Sequence, residues 1–117
     1  MRTETLNEHR KLIRFPVNVK VLDEATGETL GYTSNMHVEG MMLKSFSGIR
    51  ADTEYRIILE YLRPDDEIVE IRLIARCLWC KPAEHPDFHH SGFYFTDLSE
   101  EQKDMIVTLI RMMTMKT

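Results

Sequence analysis

The sequence predicts a mainly β domain, a six-stranded antiparallel β-barrel with one α-helix at its C-terminal end. Six segments alternate apolar and polar residues with the period of a half-buried strand. Turns of hairpin length separate most of them, and after the sixth the period becomes that of an amphipathic helix. With 117 residues, 43% of them hydrophobic and 29% charged, we expect one domain around one core.

The first three predicted strands lie in the N-terminal half of the chain. They span Phe15–Asp23, Thr29–Met36 and Gly40–Ser45. In the first strand the apolar positions are 15, 17, 19 and 21, which is strict alternation. In the second strand, Leu30, Tyr32 and Met36 are expected to share one face.

The next three predicted strands span Thr53–Leu62, Glu67–Lys81 and Ser91–Asp97. The fifth has the clearest period of two, which predicts one apolar face carrying Val69, Ile71, Leu73, Ala75, Cys77 and Trp79. A helix should follow, because Ser99 and Gln102 have the spacing of a capping box. Its apolar stripe would consist of Met105, Ile106, Leu109, Ile110 and Met113, and the helix would plug or flank the barrel.

Charge and hydropathy exclude several classes of protein. The net charge of −4 disfavours a protein that coats nucleic acid, since such binding depends on many clustered Lys and Arg residues. No apolar run approaches the roughly 18 residues of a membrane span, and the N-terminal residues lack the apolar stretch of a signal peptide. We therefore expect no membrane span and a cytoplasmic location, with Cys77 and Cys80 as thiols.

A basic stretch precedes the first predicted strand. Arg10 and Arg14 lie four residues apart, with Lys11 between them. The planar guanidinium can donate two parallel hydrogen bonds to a phosphate or to a guanine edge. Taken alone, such charges are more typical of a solvated surface. Residues 1–9 show no periodicity and are expected to form a flexible tail ahead of a domain spanning residues 10–117.

A second polar segment lies at the end of the second predicted strand. Asn35 and His37 are two residues apart, so on a strand they point to the same face, opposite Met36. Gly40 follows and permits a close backbone approach. These side chains would form a polar pair on the outer wall of the barrel.

These motifs together resemble the PilZ domain family. The RxxxR stretch Arg10-Lys11-Leu12-Ile13-Arg14 precedes the first strand, and a D/N-x-S-x-x-G stretch ends the second, with His37 at the serine position. Arg76-Cys77-Leu78-Trp79 resembles the family's Arg-and-Trp strand, and residues 92–99 resemble the strand that leads into its terminal helix. The resemblance covers roughly residues 10–113.

The resemblance implies a cytoplasmic bacterial receptor for cyclic di-GMP that is not an enzyme and needs no other cofactor. It implies that Arg10 and Arg14 contact guanine and phosphate, that Asn35 reads a guanine edge and that Gly40 leaves room for the ligand. Lys11, His37 and Arg76 are further candidate contacts, although an ion pair would equally explain Arg76. The effector protein stays unidentified, whether it belongs to motility, adhesion or polysaccharide export.

Three alternatives stay open at this point. Cys77, Cys80, His85 and His89 have the types and rough spacing of a zinc site, but a regular strand would point the two thiols to opposite faces. An enzyme is disfavoured, because the sequence has no nucleophile elbow and no phosphate-cradling loop. The chain could instead be a degenerate PilZ-like adaptor that docks a protein, using methionines of its helix such as Met112 and Met115.

Overall fold

The computed structural model describes residues 15–115. It contains six strands and one helix: β1 (Lys20–Asp23), β2 (Thr29–His37), β3 (Gly40–Ser45), β4 (Thr53–Leu62), β5 (Ile68–Pro82), β6 (His89–Thr96) and α1 (Glu100–Thr114). The predicted fold class, a six-stranded antiparallel barrel with a C-terminal helix, is confirmed. The predicted tail, Arg10, Lys11 and Arg14 lie outside the described residues.

The barrel closes in the order β1-β2-β3-β6-β5-β4, with every neighbouring pair antiparallel. The shortest strand, β1, completes the ring by pairing with both β2 and β4. At the β1–β4 seam, the Lys20 ammonium lies 3.6 Å from the Glu60 carboxylate. Closure leaves no unpaired edge in the middle of the sheet, which protects the barrel from strand addition.

One apolar core fills the barrel and extends to the helix. Inward side chains of every strand contribute, among them Val21, Met36, Leu43 and Ile57, each essentially inaccessible to solvent. On α1 the buried residues are Ile106, Leu109 and Ile110, which repeat at helical spacing. They belong to the same core cluster, so the helix is packed into the barrel's core.

The first strand is shorter than predicted because a side chain, and not a strand backbone, bonds part of the segment before Lys20. Thr33 of β2 is fully buried, and its hydroxyl donates to the Val17 carbonyl oxygen and accepts from the Val19 amide at 2.9 Å. Val17 and Val19 are buried as their alternation predicted. Regular pairing, however, begins only at Lys20.

Two β-bulges reverse the alternation that the sequence predicted. In β2 the register shifts between Thr33 and Asn35, so Tyr32 lies outside the barrel, 44% exposed, and not with Met36 in the core. An extra residue in one strand turns the side chains that follow to the other face. The expectation that Tyr32 and Met36 share a face was therefore wrong.

The second bulge, between Cys77 and Trp79 of β5, corrects two further predictions. Trp79 lies on the outside, where its ring packs against Gly92, and not on the apolar inner face. Cys80 lies on the core side together with Cys77, and its sulfur accepts a hydrogen bond from the Ile49 amide at 3.3 Å. The argument that the two thiols point to opposite faces was thus incorrect.

The helix begins as predicted. Ser99 caps it, with its hydroxyl accepting from the Gln102 amide at 3.1 Å while the Gln102 side chain accepts from the Ser99 amide at 2.9 Å. Gln102 also donates to the Arg72 carbonyl oxygen at 2.8 Å, which fastens the first turn to β5. Among the described residues, no helix is long and apolar enough to cross a membrane.

Candidate functional site

The end of the β2–β3 hairpin brings three of the predicted site residues together. His37 and Gly40 are cross-strand partners on either side of a two-residue turn. Asn35 and His37 are half-buried on the outside of the barrel, since Met36 between them points into the core. Asn35, His37 and Gly40 therefore form one outward-facing cluster, as their spacing predicted.

Hydrogen bonds fix both polar side chains of this cluster. The Asn35 amide nitrogen lies 3.7 Å from the Met42 sulfur of β3. The His37 Nδ1 atom accepts a hydrogen bond from the Glu39 amide at 3.0 Å. Because Nδ1 is the acceptor, the neutral imidazole carries its proton on Nε2.

Gly40 is needed for close packing of the barrel itself. A Cβ at this position would collide with the Phe93 carbonyl oxygen of β6 and would also touch the His37 ring, 3.5 Å away. The neighbouring Glu39 carbonyl accepts from the Phe95 amide at 2.9 Å. The glycine therefore lets β3 and β6 approach each other, a reason that is independent of any ligand.

A wider surface continues from this cluster across the neighbouring strands. The cross-strand register runs from Asn35 to Met42 and then to Gly92 and Trp79. We call the outward-facing side chains of this region the outer wall: Asn35, His37, Met42, Tyr94 and Trp79. Two of them are aromatic and Tyr94 is 48% exposed, so the wall combines polar groups with flat apolar faces.

Arg76 does not join the Asn35–His37 cluster. Its register partners are Tyr94 and Glu54, so it lies three strand spacings from His37, about 14 Å along the wall. Its guanidinium donates to the Asp52 carbonyl oxygen at 3.1 Å. The structure thus gives Arg76 a contact with the turn before β4, at the far margin of the outer wall.

An aromatic cavity of about 690 Å³ adjoins the outer wall on the side of Tyr32. Phe46 and Phe88 lie in its lining with ring centroids 4.9 Å apart, and the Lys44 ammonium lies 4.4 Å from the centre of the Phe88 ring. Phe46 is 74% exposed. No sequence motif pointed to this cavity, because its residues come from five separate segments of the chain.

Phe15, the first described residue, joins β2 beside the cluster. It forms an isolated antiparallel bridge with Met36, in which the Phe15 amide donates to the Met36 carbonyl at 2.8 Å and the Met36 amide donates to Phe15 at 2.9 Å. The chain therefore enters the barrel antiparallel to β2. Its point of entry is next to His37.

Within residues 15–115, no group of three or more His, Cys, Asp or Glu side chains is arranged to hold a metal ion. The thiols differ in environment, since Cys77 is fully buried and Cys80 is half-buried. Burial raises the pKa of the Cys77 thiol, the neighbouring Cys80 and Asp52 raise it further, and the backbone contact to Trp79 partly opposes them. Cys77 is accordingly a protonated core side chain at neutral pH.

The aromatic part of the outer wall was missed in the sequence. Trp79 was expected inside the barrel, and neither Tyr94 nor Met42 was singled out. One signal was available: Gly92 occupies an outward-facing strand position, where a glycine often marks the close approach of an aromatic ring or another backbone. The Trp79 ring fills that space.

The sequence model of the PilZ domain family, described as "PilZ domain", matches residues 6–112. No curated protein matches the chain. Among solved structures, the Bacillus subtilis inhibitor of motility MotI/DgrA is similar with a TM-score of 0.69 and 10% identity, over 84% of this chain and 47% of the other. This chain thus spans about half the length of that protein.

Two further structures are similar over most of both chains. The PilZ domain of CeSA from a cellulose-synthesizing bacterium has a TM-score of 0.57 at 17% identity, covering 84% of this chain and 94% of that one. The PilZ domain of YcgR from Escherichia coli, solved with c-di-GMP, has a TM-score of 0.63 at 10% identity, covering 86% and 88%. At these identities the likeness concerns the fold.

Proposed function

This chain belongs to the PilZ domain family, and from that premise we propose that it is a receptor for cyclic di-GMP that signals to a partner protein by a change of shape. We further propose that it acts in the bacterial cytoplasm and catalyses no reaction. Support for the ligand comes from the family and from the similar YcgR domain that was solved with c-di-GMP. The partner is an effector, and the class of machinery it belongs to stays open.

The observation that carries the proposal is the bridge between Phe15 and Met36. Phe15 lies opposite Met36, the residue between Asn35 and His37, and its amide and carbonyl groups both bond Met36. Arg14 precedes Phe15 in the sequence, so the chain leads from the Arg10–Arg14 stretch directly to the Asn35–His37 cluster. The bridge therefore supports a site that combines this stretch with the outer wall.

The proposed contacts follow from the chemistry of the groups. An arginine fork can bind a phosphate or the O6 and N7 atoms of guanine through two hydrogen bonds. The Asn35 amide can both donate to and accept from a base edge, and His37 donates from Nε2. Tyr94 and Trp79 offer flat faces on which a base can stack. Lys11 adds positive charge. Gly40 has no side chain and so leaves room for the ligand at the outer wall.

Arg76 is left out of the primary site. Its guanidinium already donates to the Asp52 carbonyl oxygen at 3.1 Å, whereas Asn35, His37 and Gly40 cluster at the β2–β3 hairpin. A structural role, fixing the turn before β4, accounts for it.

Calorimetric titration with cyclic di-GMP tests the proposal. We expect saturable binding to the unmodified chain and loss of most of it in Arg14→Ala and in Arg10→Ala, because each removes a bidentate contact. Arg72→Ala is the matched control: Arg72 lies on β5 and pairs with Glu24 and Glu70. Equal weakening by all three variants would contradict a localised site.

A second candidate function is an adaptor that binds protein without nucleotide. The observation in its favour is an apolar patch at the β4–β5 hairpin, where the cross-strand partners Leu62 and Ile68 are 59% and 66% exposed. Met112 and Met115 of the helix segment line a hollow that includes Leu62. A stable, folded chain that binds no cyclic di-GMP at high micromolar concentration would favour this function.

A further inference from the structure

The β4–β5 hairpin and the C-terminal turn of α1 together expose several large apolar side chains. Leu62 and Ile68 are directly opposite each other across the hairpin, so their side chains point to the same face, and both are mostly exposed. Met115, just after the helix, is mostly exposed as well. Large apolar side chains that are exposed side by side often mark an interaction site, whereas scattered ones do not.

A hollow of about 660 Å³ lies between the hairpin and the helix, and Leu62, Met112 and Met115 are part of its lining. A second hollow, of about 380 Å³, shares Arg111 and Met115 with the first, so the two meet at the last turn of α1. We call the surface of the two hollows, together with Leu62 and Ile68, the docking face. Methionine side chains are flexible and adapt to an apolar group that packs against them.

The charged groups that line the docking face are positive. Arg63 lies on the hairpin side and Arg111 on the helix side, and within residues 15–115 no Asp or Glu lines either hollow. Arg63 pairs with Asp65 of its own turn at 3.2 Å. The Arg111 guanidinium, in contrast, has no carboxylate partner in the described part of the chain. A chain with a net charge of −4 thus presents an unpaired guanidinium beside exposed apolar side chains.

We propose that the docking face binds an amphipathic helix of a partner protein, with Asp or Glu residues along its apolar stripe. The apolar stripe packs into the hollows, and a carboxylate beside it pairs with Arg111. A helix suits this face, because it presents a continuous apolar stripe with charged residues at its borders. The inference rests on the proposed signalling to a partner protein and names the chemistry of that partner. The outer wall stays accessible, since Ile68 begins β5 and Trp79 lies near its other end.

Methionine-methyl NMR of the whole chain with a synthetic peptide tests the proposal without nucleotide. The probe is an amphipathic helical peptide of Leu and Glu, about 16 residues long, and the control peptide has Lys at every Glu position. We expect the Glu peptide to shift the Met112 and Met115 resonances in a saturable way, while those of Met36 and Met41, which are buried in the barrel, stay unchanged. The Lys peptide should shift none of them. No saturable shift with the Glu peptide, or equal binding of both peptides, would overturn the proposal.

Charge reversal then locates the contact. Arg111→Glu should weaken binding of the Glu peptide about tenfold, because it replaces an attraction by a repulsion. The matched control is Arg50→Glu, since Arg50 is exposed and precedes β4, whereas Leu62 ends it. Equal weakening by the two variants would contradict a contact at Arg111. Should Arg111→Glu fail to fold, Arg111→Gln gives the same test, and unchanged binding by it would also contradict the contact.

A second copy of the chain is the other occupant that the experiments can detect. Sedimentation velocity would then show a dimer that Leu62→Asp dissociates, and the proposed partner helix would be refuted. The outcome for the nucleotide is separate. A chain that binds cyclic di-GMP but not the Glu peptide keeps the receptor function and loses the docking face. A chain that binds the Glu peptide through Arg111 but no nucleotide keeps the docking face and loses the receptor function.

Discussion

The indole ring of Trp79 covers Gly92 across the β5–β6 pair and occupies the space where any larger residue would carry its Cβ. Gly92→Ala should therefore destabilise the barrel by about 1–2 kcal/mol, since the new methyl displaces the ring. Chemical denaturation followed by far-ultraviolet circular dichroism measures the change.

The control for Gly92→Ala is Gly48→Ala, where an added Cβ would meet only the His89 ring at 3.7 Å, an ordinary contact. It should change the unfolding free energy little. In a Trp79→Ala background, Gly92→Ala should also cost little, because the clash is gone. A full cost in that background would show that the ring is not its cause.

Buried Thr33 links the segment before β1 to β2, and its removal should be costly. Thr33→Val keeps the volume but leaves the Val17 carbonyl and the Val19 amide without their partner. We expect a loss of about 1–3 kcal/mol in the free energy of unfolding, measured by urea denaturation. Thr53→Val, whose hydroxyl bonds Ala51 at the surface, should cost less than half as much. Equal losses would contradict a special role for the Thr33 hydrogen bonds.

The two cysteines should react differently with thiol reagents. Cys77 is fully buried and its pKa is raised, so it should be modified only after unfolding, whereas half-buried Cys80 should react in the folded chain. Mass spectrometry after brief alkylation at neutral pH distinguishes the two. Modification of Cys77 in the folded chain would contradict its burial.

The raised pKa of Cys77 also predicts a pH dependence of stability. The folded chain holds the thiol proton more tightly than the unfolded chain, so this contribution is present below about pH 9 and is lost as the pH rises above it. The free energy of unfolding should therefore fall as the pH rises above about 9, and Cys77→Ala should flatten the slope. Burial raises the pKa of Tyr61 as well, and that contribution is lost only above about pH 10.

The strands and the helix could be predicted because their apolar periods are long and regular. β3 and β4 have the predicted bounds, and the capping box of Ser99 and Gln102 is present. The location of Asn35 and His37 on the outside was also predictable from their spacing around Met36. These features depend on local pattern, which a single sequence contains.

The two bulges could not be predicted, and they account for most of the errors in the wall. Between Cys77 and Lys81 the residues are Leu78, Trp79 and Cys80, so neither register places a charge in the core and alternation alone cannot locate the extra residue. The residues from Thr33 to Asn35 are all small and polar, which hides the shift in the same way. Cross-strand pairing with β6 and β3 fixes both registers, and that information is non-local.

His37 is the residue at which this site departs from the family motif, and its replacement gives the sharpest functional prediction. Since Nδ1 accepts from the Glu39 amide, the N–H donor of the neutral ring is at Nε2, and we propose that this group contacts the ligand. His37→Ala should weaken cyclic di-GMP binding about tenfold, the loss expected for one such hydrogen bond. Isothermal titration calorimetry at fixed salt measures it.

The variant His37→Ser tests whether the imidazole contributes to nucleotide binding or weakens it relative to the family's serine. A serine at this position restores the family's residue but its short side chain cannot reach as far as Nε2, so we expect an affinity between that of the unmodified chain and that of His37→Ala. The control is Ser34→Ala, because Ser34 is exposed and lies at the bulge of β2. This variant should bind normally. Tighter binding by His37→Ser than by the unmodified chain would mean that the imidazole obstructs the ligand, and it would favour the adaptor function.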